Sequence, residues 1–599
     1  MGADGTAVTT SASPSDLPPL KSVSLLLICL TAASVQSGFL FGYDTGIVSG
    51  AMVLIRTQMD LNDLWQELIV SVTLGAAAIS ALLGGFLNTH FGRKLVILGC
   101  SALFIAGALI LACAPSETVL LVGRIILGLA IGASSSTIPA YIAECSPVHI
   151  RGRMLVMFQL AMTSGIFVAA VTAALLSYLK DTNLSWRLML GLGGVPALIQ
   201  LVVFSFMPES PRWLALHGRG QHAYEVMVKI YGGDELAARH ARHELKVIME
   251  NEEQSRREKE ATGLAQKPTL LVILQTPHLR KALAIGCSLQ MLQQLSGVNT
   301  VNYYGATIII MSGVQSSTLA IWLTSLTSGV KCLSTFLSIY LVEKIGRRLL
   351  LLCSTLCVFL TLMLLGASFS LIASQSPKSA FIENSTSLYA DSVCPTLGCD
   401  ACSYDVTCGF CYYSNAPDNT GACVHTGDKS QWAAYGRCSH NPNVSGSADQ
   451  FLDPTATWNY GYCPTNTSWL AVLGLVLYLI SFGSGYAPMP WTINAEIYPT
   501  WARSQGNAMS TGVNYAFNLL ISLTFLSLSR EITRQGAFFL YAGFTLVALL
   551  WFYLVVPETK NKEIEEIQYF LQGDWFSRGR IIKRFLKSKT PVKDEKTRS

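Results

Sequence analysis

One carboxylate stands alone in the stretch FLFGYDTGIVSG (39–50): Asp44 is the single charged residue between Lys21 and Arg56. Hydrocarbon penalises a charge by kilocalories, so an acid kept at that depth needs a partner or a task. Arg124, in GRIILG (123–128), is a second charge inside an apolar run. A carboxylate beside a guanidinium stays ionised, and a state that parts the two favours uptake of a proton instead. The pair reads as a proton switch tied to conformation, with a permanent ion pair as the plainer alternative. A second group is neutral: Gln293, Gln294 and Asn299 in QQLSGVNTVNYY (293–304). Amides donate and accept together, which suits the clustered hydroxyls of a sugar or polyol. Gln294 and Asn299 are five apart, so all three line one cavity only if the helix is distorted there, and Gly297 permits that. Bonds from helix to helix are the alternative use of such amides.

Positioning these groups falls to membrane helices. The 599 residues are 51% hydrophobic and 13% charged, and an ordinary soluble domain carries roughly twice that charge density. Twelve apolar runs have spanning length, near 22–46, 66–88, 95–114, 118–141, 154–177, 186–206, 282–312, 317–341, 349–373, 468–494, 507–529 and 536–556. Lipid offers the backbone no hydrogen-bond partner, so these runs must be helices. The first lacks the basic flank of a cleaved signal. Counting outward from a cytoplasmic N-terminus, helix one brings Asp44 and helix four brings Arg124 to similar outer depth.

Lysine and arginine support that orientation. Arg93 and Lys94, Arg151 and Arg153, the basic 207–281 segment, Lys344, Arg347, Arg348 and Arg503 all fall on the cytoplasmic side. Net charge +5 is therefore orientation and lipid attraction, not nucleic-acid binding. The IIKRFLKSK run (581–589) would suit an anionic leaflet or stand solvated. Of 16 cysteines, eight are scattered in apolar runs, as packing residues are. The other eight crowd into one polar stretch: Cys394, Cys399, Cys402, Cys408, Cys411, Cys423, Cys438 and Cys463. An even, dense set reads as four disulfides in an oxidising compartment, with the pairing left open. Zinc is the weaker reading, because no histidine pair has ligand spacing, and no metal is expected. Glycosylation sequons at Asn384, Asn443 and Asn466, and Asn183 in the loop before helix six, fall on the same outer side.

The chain also repeats itself. FGRK (91–94) and IGRR (345–348), AECSPVHIR (143–151) and AEIYPTWAR (495–503), and PES (208–210) and PET (557–559) follow matching helices in two six-helix halves. The last two pairs lie further apart than the first by about the length of the Cys-rich stretch, which marks that stretch as an insertion. The expected parts are a cytoplasmic tail (1–21), a first half (22–206), a cytoplasmic linker with short helices (207–281), helices seven to nine (282–373), the Cys-rich loop (374–467), helices ten to twelve (468–556) and a basic tail (557–599). The repeated charges Arg93, Glu144, Arg151, Glu343, Arg347, Glu496 and Arg503 read as a network latching the cytoplasmic side.

With these motifs in order, the chain closely resembles the sugar-porter branch of the major facilitator superfamily over about 30–570. GYDTG (42–46), GRK (92–94), PESPRWL (208–214), QQLSGVNTVNYY, VEKIGRR (342–348) and PETKNKEIEEI (557–567) carry the match. Within that branch it looks most like the proton-coupled myo-inositol cotransporters, through FGYDTGIVSGAM, DLWQELIVS, PMPWTINAEIYPTWARSQGNA and the insertion. CDACSYDVTCGFCY resembles a plexin–semaphorin–integrin module. The resemblance implies a break in helix seven, substrate contacts at Gln159, Trp491 and Asn514, and an outer gate at Tyr303 and Tyr304. It also implies that an acid at Asp44 marks proton coupling, since uncoupled members carry a neutral residue there. Lys331, in TSLTSGVKCLSTF (324–336), departs from the pattern, which usually has a substrate-facing amide at that place. It could bind hydroxyls, pair with an acid or admit an anion. Ile166 and Ala487 replace the usual Gln and Gly.

The expectation is an all-α integral membrane protein of twelve helices in two pseudo-repeats with a disulfide-rich outer insertion. It would carry myo-inositol or a related polyol with protons across the plasma membrane, both termini cytoplasmic, with H+ as driving ion and no cofactor. Its partners would be the small molecule, protons and the bilayer, with no nucleic acid. Two alternatives stand beside this: a hexose carrier of the same fold, and a non-transporting sensor or adhesion receptor whose Cys-rich loop meets an extracellular protein. No nucleophile–base set, P-loop or Rossmann glycine run points to an enzyme.

Overall fold

The computed structural model describes residues 24–560 and Leu571, except 60, 147, 262–268, 315, 380–393, 395–397, 406, 414–419, 428–431, 440–455, 464 and 499. Asn384, Asn443 and the 581–589 run lie outside the described residues. So do the side chains of Arg151, Glu343 and Arg503.

Among the described residues, 11 helices are long and apolar enough to span a membrane. Helix seven is the twelfth, in two pieces. Pro277–Leu295 ends at a turn, and Val298–Met311 begins after Gly297. Gly297 has φ +79°, a left-handed conformation that costs glycine little and other residues much. Helix six is also divided, Thr182–Gly191 and Gly194–Ser205. Helix ten holds a π-helical turn, Phe482–Tyr486, where the Ala487 N–H reaches back 2.9 Å to the Phe482 carbonyl. Such turns often occur at functional sites. Helices one (Leu25–Met59) and eleven (Thr500–Glu531) run past the expected ends, because helix geometry continues beyond the apolar window.

Helix one is held to helix five by glycines four apart. A Cβ at Gly38, Gly42 or Gly46 would lie 2.7, 1.9 or 2.6 Å from the carbonyls of Phe158, Met162 and Ile166. Small residues at this spacing let membrane helices approach to backbone contact. Asp44 is two residues from Gly42, roughly 200° round the helix, so it faces away from helix five and toward helix four.

The linker is not made only of short helices. Glu235–Ala261 is 27 residues long, and its apolar Ala237 and Ala241 join a buried cluster with Ala223, Val226 and Met227 of Gly220–Tyr231. Asn183 is likewise not in a loop. It lies in the first turn of helix six, capped by Asp181, and its Oδ1 accepts from Arg187 Nε at 2.7 Å. The hydroxyl of its sequon, Ser185, is buried and bonded to the Leu176 carbonyl at 2.8 Å.

The insertion folds on four disulfides: Cys394–Cys408, Cys399–Cys463, Cys402–Cys423 and Cys411–Cys438. They surround a small antiparallel sheet in which β1 (Cys408–Tyr413) lies between β2 (Gly421–His425) and β3 (Ala456–Asn459). Cys394, Cys408 and His425 gather at one point, but both sulfurs are spent in a disulfide. Arg534, at the start of helix twelve, anchors the module: its Nη2 donates to Ser403 Oγ at 2.8 Å and to the Gly461 carbonyl at 3.1 Å.

Candidate functional site

The interface between the halves is where the sequence's candidate residues gather. Arg124 is 2% exposed, and its Nη1 lies 2.5 Å from Asp44 Oδ1. Its Nε donates to the Ile69 carbonyl at 3.2 Å, which fixes the guanidinium from a second helix. Tyr303 of helix seven reaches the same place from the other half. Its hydroxyl lies beside Thr45, the neighbour of Asp44, and beside Asn518 of helix eleven. Tyr304 turns instead toward helix eleven, where its hydroxyl donates to the Ser522 carbonyl at 2.9 Å.

The break in helix seven brings its amides together. Asn299 Nδ2 donates to Gln294 Oε1 at 2.5 Å across the turn, although the two are five residues apart. Asn302 Nδ2 donates to Asn299 Oδ1 at 2.9 Å, and Lys331 Nζ donates to Asn302 Oδ1 at 2.8 Å. Gln293 faces another way: its Nε2 donates to the carbonyls of Tyr486 and Ala487 at 2.8 and 2.9 Å, both at the end of the π-helical turn. Ala487 thus serves through its backbone. Asn514 donates to Gln290 Oε1 at 2.7 Å and approaches Gln293 Oε1 at 3.5 Å. Among the described residues neither Gln159, half-buried, nor Trp491, 37% exposed, hydrogen-bonds to this chain of amides.

Asn302, Gln290 and Asn518 belong to the site and are absent from the sequence's candidates. The signal was present: each lies three or four residues from a candidate, on the same helical face.

Among the described residues, four hydrogen bonds in three residue pairs tie the halves at the end that carries the insertion. Ser49 Oγ accepts the Ala306 N–H at 3.1 Å, Glu67 accepts from the Ser527 N–H and hydroxyl at 2.9 Å each, and Trp322 Nε1 donates to Tyr178 at 3.0 Å. At the linker end the charges pair within each half. Arg93 meets Glu144 at 2.8 Å, and Arg347 meets Glu496 at 3.5 Å. Glu209 accepts the N–H of Arg93 at 2.9 Å, and Glu558 that of Arg347 at 3.1 Å. These two acids were missed as network members, though the PES and PET repeats announced them. Burial pushes the Glu496 carboxyl above the ordinary range, against the pull of Arg347.

The family model for sugar (and other) transporters matches residues 28–388 and 456–571, leaving out most of the disulfide-rich insertion. The proton myo-inositol cotransporter of Homo sapiens is 46% identical over 538 residues, covering 89% of this chain and 80% of that one. Proton myo-inositol cotransporter hmit-1.1 of Caenorhabditis elegans is 40% identical over 571 residues, covering 93% and 91%. The solved structure of the proton:xylose symporter XylE from E. coli, a major facilitator superfamily protein, aligns with TM-score 0.65 at 21% identity, over 91% of this chain and 99% of that one. At that identity the likeness speaks for the fold.

Proposed function

Because the chain belongs to the sugar (and other) transporter family, we propose that it is a multi-pass symporter moving myo-inositol or a closely related polyol together with protons, by alternating access. The observation that carries the reading is the buried Asp44–Arg124 pair, one tyrosine away from the break that assembles the amides. The family is one of carriers, and the sensor reading draws no support from relatives named for transport. Nor does an extracellular protein partner.

The division of tasks follows from the chemistry. Neutral amides can hold hydroxyls but cannot bind a driving ion. Asp44 can. Paired with Arg124 it stays ionised; rocking that separates them leaves a carboxylate in apolar surroundings, where it takes a proton rather than stand charged. Tyr303, which lies beside Thr45, connects that pair to helix seven. The bonds at the insertion end must then break for the site to open there, and the linker end must close. Basic loops at the linker end and disulfides at the other support a plasma-membrane protein with both termini cytoplasmic.

Purified protein in liposomes tests this with a cargo screen, with and without an imposed pH gradient. Myo-inositol should accumulate uphill only with the gradient. Strong inhibition by glucose and none by inositol isomers would assign the chain to hexose transport.

A further inference from the structure

The geometry points to Lys331 as the residue that sets which way the cargo-site amides face, and so which features of a polyol hydroxyl the site reads. The inference rests on the amide pocket proposed above.

Lys331 is 4% exposed in the middle of helix eight, 2.8 Å from Asn302 Oδ1 and 5.9 Å from the centre of the Phe482 ring. An ammonium only donates. Asn302 must therefore turn its oxygen to Lys331, which leaves its nitrogen for Asn299 Oδ1 at 2.9 Å. Asn299 then has its nitrogen left, and gives it to Gln294 Oε1 at 2.5 Å. Each link leaves the next no choice. At the far end the Gln294 oxygen is turned to Asn299, and its NH2, bonded to no described side chain, is the group left for cargo. With a neutral amide at position 331 every link could reverse, because an amide both donates and accepts. The cation converts a chain that runs either way into one that runs a single way.

The consequence is a rule for cargo. At the hydroxyl that meets Gln294 the site uses the oxygen lone pair and does not need the hydroxyl proton. Replacing that hydroxyl by fluorine keeps an acceptor; replacing it by hydrogen removes it. Lys331 is thus a positioning residue that acts on specificity through three amides.

The test is competition against labelled myo-inositol uptake in liposomes by mono-deoxyfluoro and mono-deoxy inositols, one ring position at a time. At one position the fluoro analogue should compete about tenfold better than the deoxy analogue, the worth of one hydrogen bond. In Lys331→Met that gap should collapse and KM for myo-inositol should rise with the maximal rate unchanged, whereas Lys331→Arg, still a pure donor, should keep the gap. If Lys331→Met does not reach the membrane, Lys331→Gln, which restores both directions, takes its place. An unchanged gap in these variants, or no gap at any position in the native protein, overturns the inference. Gln294→Ala separates the two levels: an unchanged KM there sinks the pocket itself, while a raised KM with an unchanged Lys331→Met gap sinks only the polarity rule.

Discussion

The two six-helix halves repeat one plan and differ in what they bury. The first half encloses a full ion pair, Asp44–Arg124, beside a helix packed at backbone distance through Gly38, Gly42 and Gly46. The second half buries amides and a lysine, and two of its site helices are interrupted, helix seven at Gly297 and helix ten at Phe482–Tyr486. Close packing holds a charge pair at fixed depth. Interrupted helices free backbone groups and bring side chains of different register within hydrogen-bond reach, as Asn299 and Gln294 show. On the reading proposed above, rigidity would suit the driving ion and irregular backbone the cargo.

The strongest challenge to that division is Asp44→Asn. Uphill accumulation under a pH gradient should vanish while equilibrium exchange of cargo persists. Retained accumulation would remove the first half from the coupling step. Next come the two glycines. Gly42→Val drives a side chain into the Met162 carbonyl, and Gly297→Ala forces φ +79° on a residue with a Cβ 2.5 Å from Tyr541. Each should cost about 1–3 kcal/mol, read as a fall in melting temperature in detergent. Gly42→Val should also spoil proton coupling, and Gly297→Ala cargo affinity. Equal loss of both functions in both variants would blur the comparison.

A smaller effect is expected at Gln293, whose NH2 is shared by two carbonyls of helix ten. Gln293→Ala should raise KM for myo-inositol by about tenfold, the scale of one or two neutral hydrogen bonds, with the pH dependence of uptake unchanged. The smallest sharpens the two linker-end networks. The Arg93–Glu144 contact is 2.8 Å with both side chains at most 15% exposed, and the Arg347–Glu496 contact is 3.5 Å with exposures of 21% and 31%. Arg93→Gln should therefore lower the melting temperature more than Arg347→Gln. Burial raises the folded-state titration of Glu496 above its unfolded range, so its contribution is fully present at low pH and lost as pH rises through the raised value. Melting curves across mildly acidic pH should lose that component in Glu496→Gln, and an identical pH profile would count against it.

Much of this was legible in the residues. Hydrophobic runs give spans because lipid demands helices, and the repeat of GRK, PES and AEC motifs exposes two halves and an insertion. Asp44 and Arg124 declare themselves by being charged in apolar runs. Less legible were Asn302 and Glu558. A neutral or loop-edge residue carries no anomaly of its own, and its meaning depends on the neighbour it meets 29 or 211 positions away. The linker misled in the opposite direction: its polar composition reads as short pieces, yet Glu235–Ala261 gains one long helix from an apolar stripe that packs on Gly220–Tyr231.

By itself the sequence determined the class, the number of spans, a dense set of cysteines in one polar stretch and the presence of an acid, Asp44, alone in an apolar run. Those follow from transfer free energies, which act on each residue according to its own type. Tertiary structure alone decided how the cysteines pair, that Asp44 faces helix four and not lipid, and where Lys331 spends its charge. Those depend on which surfaces meet. A glycine stripe that allows backbone contact, a turn at Gly297 and the one-way donation of an ammonium become physical facts only when distant segments lie a hydrogen bond apart.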